Sequence, residues 1–179
     1  MNVFLIGYRG TGKTTVAELI AAELHSKWVD TDVVVEQRAG LTIAEIFSKH
    51  GEPWFRQLET RVLRDLIQED QYIFALGGGI VLQDKNRAMI EGKGMVVWLK
   101  AFAETIANRI DQDSSSISKR PNLTKSGGFT EIHQLLKQRI PTYRACADYE
   151  VDTEGKTPEQ VAREIVDQIQ SKRSISRGT

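Results

Sequence analysis

Cysteine is almost absent from this chain of 179 residues, which contains only Cys146. A single cysteine excludes a framework of disulfide bonds within the chain and suits a reducing compartment. Long apolar runs are also missing, so the sequence predicts no membrane-spanning helix. The chain begins with a strand-like run and shows no signal-peptide pattern, and we therefore expect a cytoplasmic protein.

An excess of charge of either sign is lacking too. Lysine and arginine together number 24, and so do aspartate and glutamate, giving a formal net charge of zero. The charge balance therefore gives no reason to expect a nucleic acid or an acidic membrane surface as partner. The length and the ordinary apolar share predict one globular domain over residues 1–172, followed by a disordered tail over 173–179.

Short apolar runs alternate with segments of helical spacing along the chain. This alternation predicts an α/β fold, in which a five-stranded parallel sheet is covered by helices on both faces. The segment 111–128, DQDSSSISKRPNLTKSGG, has little apolar pattern, so we expect a long mobile loop there. The predicted strands are NVFLIG (2–7), KWVD (27–30), YIFALG (72–77), MVVWL (95–99) and YEVDT (149–153).

A phosphate-binding motif, GYRGTGKTT, follows the first predicted strand and opens the first predicted helix. It fits the pattern G-x-x-x-x-G-K-[ST], in which backbone N–H groups and the positive end of a helix hold phosphate oxygens. The amine of Lys13 can bridge the β- and γ-phosphates, and we expect it to face solvent without ligand. The hydroxyl of Thr14 can bind Mg²⁺ directly. The predicted nucleotide contacts of this loop are Gly10, Thr11, Gly12, Lys13, Thr14 and Thr15.

The motif alone does not decide between a GTPase, an ATPase motor, a nucleotide kinase and a small-metabolite kinase, although no guanine-reading N-K-x-D string is present. Asp30 and Asp32 follow the second predicted strand, at the sheet edge where ligands bind in open α/β folds. One carboxylate could hold the water shell of a metal ion, and the other could orient or deprotonate an acceptor hydroxyl. Alternatively, one of them caps the next helix.

Three arginines, namely Arg56, Arg120 and Arg139, and three glycines are further candidates. Arg56 precedes Glu59 by one helical turn, so Glu59 could hold the guanidinium for a substrate carboxylate, or the two could form an ordinary ion pair. Arg120 lies in the polar loop, where it could stabilise a transferring phosphoryl group or remain a solvated side chain. The glycine run Gly77–Gly79 predicts a close approach of bare backbone and its N–H groups to a ligand, or a tight turn.

Together these segments resemble the shikimate kinase family, which has the nucleoside-monophosphate-kinase type of P-loop fold. The resemblance covers nearly the whole chain and rests on GYRGTGKTT, DTD, Gly51 to Glu59 as GExxFRxxE, LGGG, KRPNL and RIPTYR, in that order. It implies a mobile lid at about 111–128. The shikimate contacts it implies are Asp32, Arg56, Gly77, Gly78, Gly79 and Arg139.

The resemblance also implies further roles. Lys13, Asp32 and Arg120 would be the catalytic residues, with Arg120 reaching the ATP phosphates from the lid. Asp30 would approach Mg²⁺ through water, and Arg109 with the turn 153–158 would lie near the adenine. Phe47 and Phe55 resemble an apolar pocket wall, whereas Arg9 has no counterpart in the family pattern and receives no role.

These residues predict a monomeric kinase that transfers the γ-phosphoryl group of ATP to the 3-hydroxyl of shikimate, with Mg²⁺ neutralising charge. Two alternatives stay open, namely another polyol-acid kinase of this fold, such as a gluconate kinase, and a non-catalytic kinase-like binding module. Trp28 and Trp98 lie in apolar strand contexts, so we expect both in the core.

Overall fold

The structure, a computed structural model, describes residues 1–112 and 128–177. Strands and helices alternate along most of the chain, as the apolar pattern predicts. The strands are β1 (Asn2–Ile6), β2 (Lys27–Asp30), β3 (Tyr72–Ala75), β4 (Gly94–Lys100) and β5 (Tyr149–Asp152). The helices are α1 (Lys13–Glu23), α2 (Thr31–Ala39), α3 (Ile43–Leu66), α4 (Asp84–Ile90), α5 (Ala103–Gln112), α6 (Gly128–Cys146) and α7 (Pro158–Arg177), with a 3-10 turn at Ile80–Leu82.

The five strands form one parallel sheet in the order β2-β3-β1-β4-β5. The central strand β1 is entirely buried, because it is paired on both sides and covered on both faces. The order changes direction around β1, so the connections from β1 and β3 diverge at the carboxyl edge of the sheet. A crevice at this edge is the usual place for a ligand in open α/β sheets.

Alternate residues of β1 enter two different cores, as the period of a strand requires. Val3 and Leu5 belong to the cluster that α1 and α7 cover, whereas Phe4 and Ile6 belong to the cluster beneath α3 and α6. The rings of Phe4 and Phe74 stack there at 5.0 Å between centroids. Helices therefore cover both faces of the sheet, which confirms the predicted fold class.

Helix α2 begins directly after β2, at Thr31, and fills the segment before α3. The sequence has helical spacing over 42–50 and again over 52–68, and in the structure the two stretches form one element, α3, interrupted at Gly51, whose φ of 78° lies in the left-handed region. The last helix continues to Arg177, past residue 172, where the sequence places the end of the domain.

Trp98 is buried as predicted, but the expectation for Trp28 is wrong. Trp28 is 37% exposed because it lies on β2, an edge strand that has a partner on one side only. Within residues 1–112 and 128–177, each helix is too short or too polar to cross a bilayer. The predicted lid lies largely at 113–127, outside the described residues.

Candidate active site

The phosphate-binding loop connects β1 to α1 at the carboxyl edge of the sheet. Gly10 and Gly12 have φ angles of 78° and 89°, values that residues other than glycine rarely adopt. The amine of Lys13 is buried and donates to the carbonyl oxygens of Gly7 at 2.9 Å and Tyr8 at 2.8 Å. The expectation of a solvent-facing Lys13 is therefore wrong, because the loop folds its own carbonyls around the ammonium group.

Asp30 joins the phosphate loop to α2 through its two carboxylate oxygens. Oδ2 accepts a hydrogen bond from the hydroxyl of Thr14 at 2.6 Å. Oδ1 accepts from the backbone N–H of Asp32 at 2.9 Å and so caps α2. The capping role that the sequence leaves open is thus real, and the same carboxylate still lies beside the predicted metal ligand Thr14.

The Thr14 hydroxyl and the Asp30 carboxylate offer oxygen atoms of the kind that suit Mg²⁺, which usually takes one or two protein groups together with waters and substrate phosphates. In the described part of the chain, no group of three or more His, Cys, Asp or Glu side chains could hold a metal ion by itself. A metal at Thr14 and Asp30 would therefore depend on nucleotide phosphates for its remaining ligands.

Arg56 is held by two carboxylates on its own helix α3. Its Nη1 donates to Glu59 Oε2 at 2.9 Å, and its Nε and Nη2 both donate to Glu52 Oε1, at 3.1 and 3.0 Å. Glu59 is 1% exposed, whereas the Glu52 side chain is 56% exposed. The guanidinium is thus fixed on its inner side and reaches solvent on its outer side.

Burial and the neighbouring charges shift the pKa values of Glu59 and Arg56 in opposite directions. Burial raises the pKa of Glu59, and the guanidinium groups of Arg56 and Arg139 oppose that rise. Burial favours the neutral form of Arg56, but the nearby carboxylates of Glu59 and Glu52 outweigh it and hold its pKa above the ordinary value. Arg56 therefore keeps its positive charge in this partly buried position.

The glycines after β3 leave room for two charged side chains. A Cβ added to Gly77 would lie 2.5 Å from Asp32 Oδ1, and a Cβ added to Gly79 would lie 2.5 Å from Arg56 Nη1. The N–H of Gly77 donates to Thr31 Oγ1 at 2.8 Å and is therefore already engaged within the protein. The absence of side chains at Gly77 and Gly79 thus lets the Asp32 carboxylate and the Arg56 guanidinium lie against the backbone.

Gly78 sits against the phosphate loop itself. A Cβ at this position would lie 3.3 Å from both Gly7 O and Arg9 N, which are backbone atoms that cannot rotate away. On the other side, the carbonyl oxygen of Gly78 accepts from the hydroxyl of Tyr143 at 2.5 Å and from Arg139 Nη1 at 3.4 Å. Gly78 therefore links the nucleotide loop to helix α6.

Arg139 approaches the same place from α6 and is largely buried. Its guanidinium lies 5.3 Å from the centroid of the Tyr8 ring, close enough for a cation–π contact. Burial raises the pKa of the neighbouring Tyr143 to about 12, so this phenol stays protonated as a hydrogen-bond donor.

An open cleft unites these groups. One wall is apolar and includes the rings of Phe47 and Phe55, whose centroids lie 4.9 Å apart. The opposite wall carries charge and adjoins the phosphate loop. The lining residues are Tyr8, Arg9, Asp32, Ile43, Phe47, Phe55, Arg56, Glu59, Gly78, Gly79 and Arg139.

Two carboxylates, three guanidiniums and an apolar wall beside a phosphate loop fit a small anionic acceptor next to a nucleotide. A family model described as shikimate kinase matches residues 9–170. The chain belongs to the shikimate kinase family. Its members are ATP-dependent phosphotransferases, so the chain is an ATP-dependent kinase.

Individual relatives of the shikimate kinase family agree with this membership. A shikimate kinase from Caldanaerobacter subterraneus subsp. tengcongensis is 41% identical over 165 residues, which are 92% of this chain and 94% of that protein. The solved structure of shikimate kinase from Acinetobacter baumannii in complex with shikimate is 35% identical, with a TM-score of 0.89. That match covers 96% of this chain and 93% of the other.

A gluconokinase from Sinorhizobium meliloti is similar in fold alone. It is 14% identical, with a TM-score of 0.61 over 98% of this chain and 96% of the other. The polyol-acid kinases that the sequence leaves as an alternative thus share the architecture but lie much further from this chain than the shikimate kinases do.

Most of the predicted site residues of this shikimate kinase family member lie together. Asp32, Arg56, Gly78, Gly79 and Arg139 line one cleft, and Gly77 adjoins it through Asp32. Arg109 lies elsewhere, where Nη1 and Nη2 donate to the hydroxyl and carbonyl of Thr153 at 3.1 and 3.3 Å. Arg109 and the turn 153–158 are therefore neighbours, as the family resemblance implies. Arg120 lies outside the described residues.

Sequence reasoning missed Tyr8, Arg9 and Ile43, which line the cleft, and Tyr143, which donates to the carbonyl oxygen of Gly78. Tyr8 and Arg9 occupy variable positions of the phosphate-loop motif, and Tyr143 lies on the helical stretch RIPTYR, which the resemblance uses only for Arg139. Their role depends on how α6 packs over the loop, and no local pattern carries that information.

Proposed function

We propose that this kinase transfers the γ-phosphoryl group of ATP to the 3-hydroxyl of shikimate, giving shikimate 3-phosphate and ADP for aromatic amino-acid biosynthesis. One observation carries the proposal: Asp32, Arg56 and Arg139 converge in a cleft that shares its backbone wall with the phosphate loop. ATP and shikimate would be its ligands, and we expect it to act as a monomer in the cytoplasm.

Arg56 and Arg139 would hold the carboxylate of shikimate from two different helices. A guanidinium forms charge-assisted hydrogen bonds to a carboxylate and can offer two parallel donors. Glu59 lies on the buried side of Arg56 and fixes the guanidinium, so that little side-chain freedom has to be lost on binding. The rings of Phe47 and Phe55 would cover the apolar face of the cyclohexene ring.

Asp32 would bind the acceptor hydroxyl and orient it for attack, either as a base or as a hydrogen-bond acceptor. Its position is fixed by the start of α2 and by the bare backbone of Gly77. Reactants held in this way can react as if at very high concentration, which is a large part of catalysis in phosphoryl transfer.

The phosphate loop would bind ATP through the backbone from Gly10 to Thr15. Lys13 would contact the β- and γ-phosphates, where it stabilises the charge of the transition state. Thr14 and, through water, Asp30 would hold Mg²⁺, which supplies charge neutralisation between the phosphates. Arg109 with Thr153 would lie on the adenine side, and Arg120 would contact the phosphates from the lid.

A panel assay would test this function directly. ADP release should be measured with the purified chain, ATP and Mg²⁺ against shikimate, quinate and gluconate, and the product identified by mass and phosphorus NMR. We expect turnover with shikimate and phosphorylation at its 3-hydroxyl. Turnover with gluconate alone would favour the polyol-acid kinase alternative, and shikimate binding without turnover would favour the non-catalytic module.

A further inference from the structure

We propose that Arg9 is a third substrate-binding guanidinium, which contacts an oxygen of the anionic acceptor from the side of the phosphate loop. The proposal rests on the proposed function, because it names a further contact in the same cleft. The phosphate-loop motif needs no arginine at this position, so a nucleotide-binding role does not account for it.

The place of Arg9 in the cleft is the first support. Its backbone lies in the phosphate loop, where Arg9 N packs close to Gly78, and its side chain lines the cleft that Arg56 and Arg139 also line. The three guanidiniums come from three different elements: the phosphate loop, α3 and α6. Of the three arginines, Arg9 alone belongs to the phosphate loop, beside the proposed nucleotide site.

The second support is a donor that the protein leaves unused. The Nε atom of Arg9 is buried and has no hydrogen-bond partner among the described residues. A buried donor without an acceptor is costly, and most such groups in native proteins have a partner. The Arg9 side chain as a whole is 18% exposed and lines the cleft, so a carboxylate or hydroxyl oxygen of the acceptor could reach the guanidinium there.

The third support is the carboxylate behind the guanidinium. Arg9 Nη2 lies 3.9 Å from Oε1 of Glu131, a fully buried residue in the first turn of α6. This separation gives electrostatic attraction but exceeds hydrogen-bond length. Glu131 therefore compensates the charge of Arg9 without forming a hydrogen bond to its Nη2 atom.

The test compares Arg9→Gln and Arg9→Lys with wild type. Shikimate and ATP should be titrated separately by calorimetry, and kcat and KM measured for both substrates. We expect Arg9→Gln to weaken shikimate binding by about ten- to a hundredfold, since one charge-assisted hydrogen bond is lost, with ATP affinity unchanged. Arg38→Gln is the matched control, because Arg38 pairs with Asp65 at 2.5 Å outside the cleft and should leave both affinities unchanged.

Arg9→Lys separates a ligand contact from a merely structural charge. If Arg9 serves only as the counter-ion of Glu131, lysine restores shikimate binding; if the planar donor contacts the acceptor, lysine restores the melting temperature but not the affinity. Wild-type shikimate affinity in a folded Arg9→Gln protein would overturn the inference, as would a loss confined to ATP. Failure of the wild-type chain to phosphorylate shikimate would instead overturn the proposed function.

Discussion

The guanidinium of Arg56 occupies the space in which a side chain at Gly79 would begin. A Cβ on Gly79 would lie 2.5 Å from Nη1, 2.7 Å from Nη2 and 2.8 Å from Cζ of Arg56. Because Gly79 has an ordinary φ of −109°, its backbone would accept any residue, and only the neighbouring arginine excludes a side chain.

Gly79→Ala is therefore expected to displace the Arg56 guanidinium without straining the backbone. Shikimate affinity should fall by about tenfold or more, as one charge-assisted contact is misplaced, while ATP affinity stays unchanged. Calorimetric titration of each ligand measures the two effects. Gly92→Ala is the control, because nothing lies within 4 Å of its added Cβ. The φ angle of 69° at Gly92 means that this substitution should lower the stability of the protein but leave ligand binding unchanged. Unchanged shikimate affinity in Gly79→Ala would contradict the placement of Arg56.

Arg56→Lys should not behave as a conservative change, because an ammonium cannot reproduce the planar donors that face Glu59 and the substrate carboxylate. We expect a loss of about 2–4 kcal/mol in shikimate binding, or roughly thirty- to a thousandfold. ATP affinity should hardly change. Arg38→Lys, on the exposed side of α2, controls for the substitution itself. A wild-type affinity for shikimate would remove Arg56 from the acceptor site.

Lys13→Ala should lower kcat by about a hundredfold or more, because a phosphate contact that strengthens in the transition state is lost. It should also lower the melting temperature, since the buried amine donates to the carbonyls of Gly7 and Tyr8. Turnover and thermal unfolding are measured together, with the exposed Lys85→Ala as control. Near-normal turnover in a folded Lys13→Ala protein would contradict the assignment of the phosphate loop.

The substitution Asp30→Asn distinguishes the helix-capping role of the Asp30 carboxylate from its proposed role near Mg²⁺. The amide oxygen can still cap α2, so the melting temperature should change little. The lost negative charge should raise the Mg²⁺ concentration needed for half-maximal turnover. Asp148→Asn is the control, because Asp148 likewise accepts a backbone N–H, that of Val96, but at the amino edge of the sheet. An unchanged Mg²⁺ requirement in Asp30→Asn would exclude Asp30 from the metal site.

We expect the protein to lose stability at alkaline pH because the buried phenol of Tyr143 must then ionise. Burial raises its pKa to about 12 in the folded protein, above the ordinary value of 10.0. Its stabilising contribution is therefore fully present below pH 10 and is lost as the pH rises from 10 to 12. Tyr143→Phe should flatten the fall in unfolding free energy over this window, measured by urea titration, by about 2–3 kcal/mol. The same slope in the variant and wild type would show that Tyr143 is not the group responsible.

Several features of the fold follow from the sequence because they are local. The alternation of apolar runs and helical spacing predicts the parallel sheet, since burial on both faces requires continuous apolar strands. The phosphate loop is predictable for the same reason, because its glycines, lysine and threonine act within nine consecutive residues. The break between the two helical stretches of α3 is also local, and Gly51 marks it.

Tertiary packing decided the rest. Trp28 is a large apolar residue in a strand-like run, and the position of β2 at the edge of the sheet exposes it. The amine of Lys13 turned inward because two carbonyls of its own loop face it. No local pattern records either arrangement.

The glycine run Gly77–Gly79 likewise combines a feature that is local in the sequence with one that depends on tertiary packing. The sequence by itself determined that bare backbone approaches something after β3, because three glycines in a row at a strand end leave no side chain there. Only the fold decided that Asp32 and Arg56 fill that space, and that Arg9 lies 3.9 Å from the buried carboxylate of Glu131. These partners are distant in sequence, and the packing of α2, α3 and α6 against the carboxyl edge of the sheet brings them together.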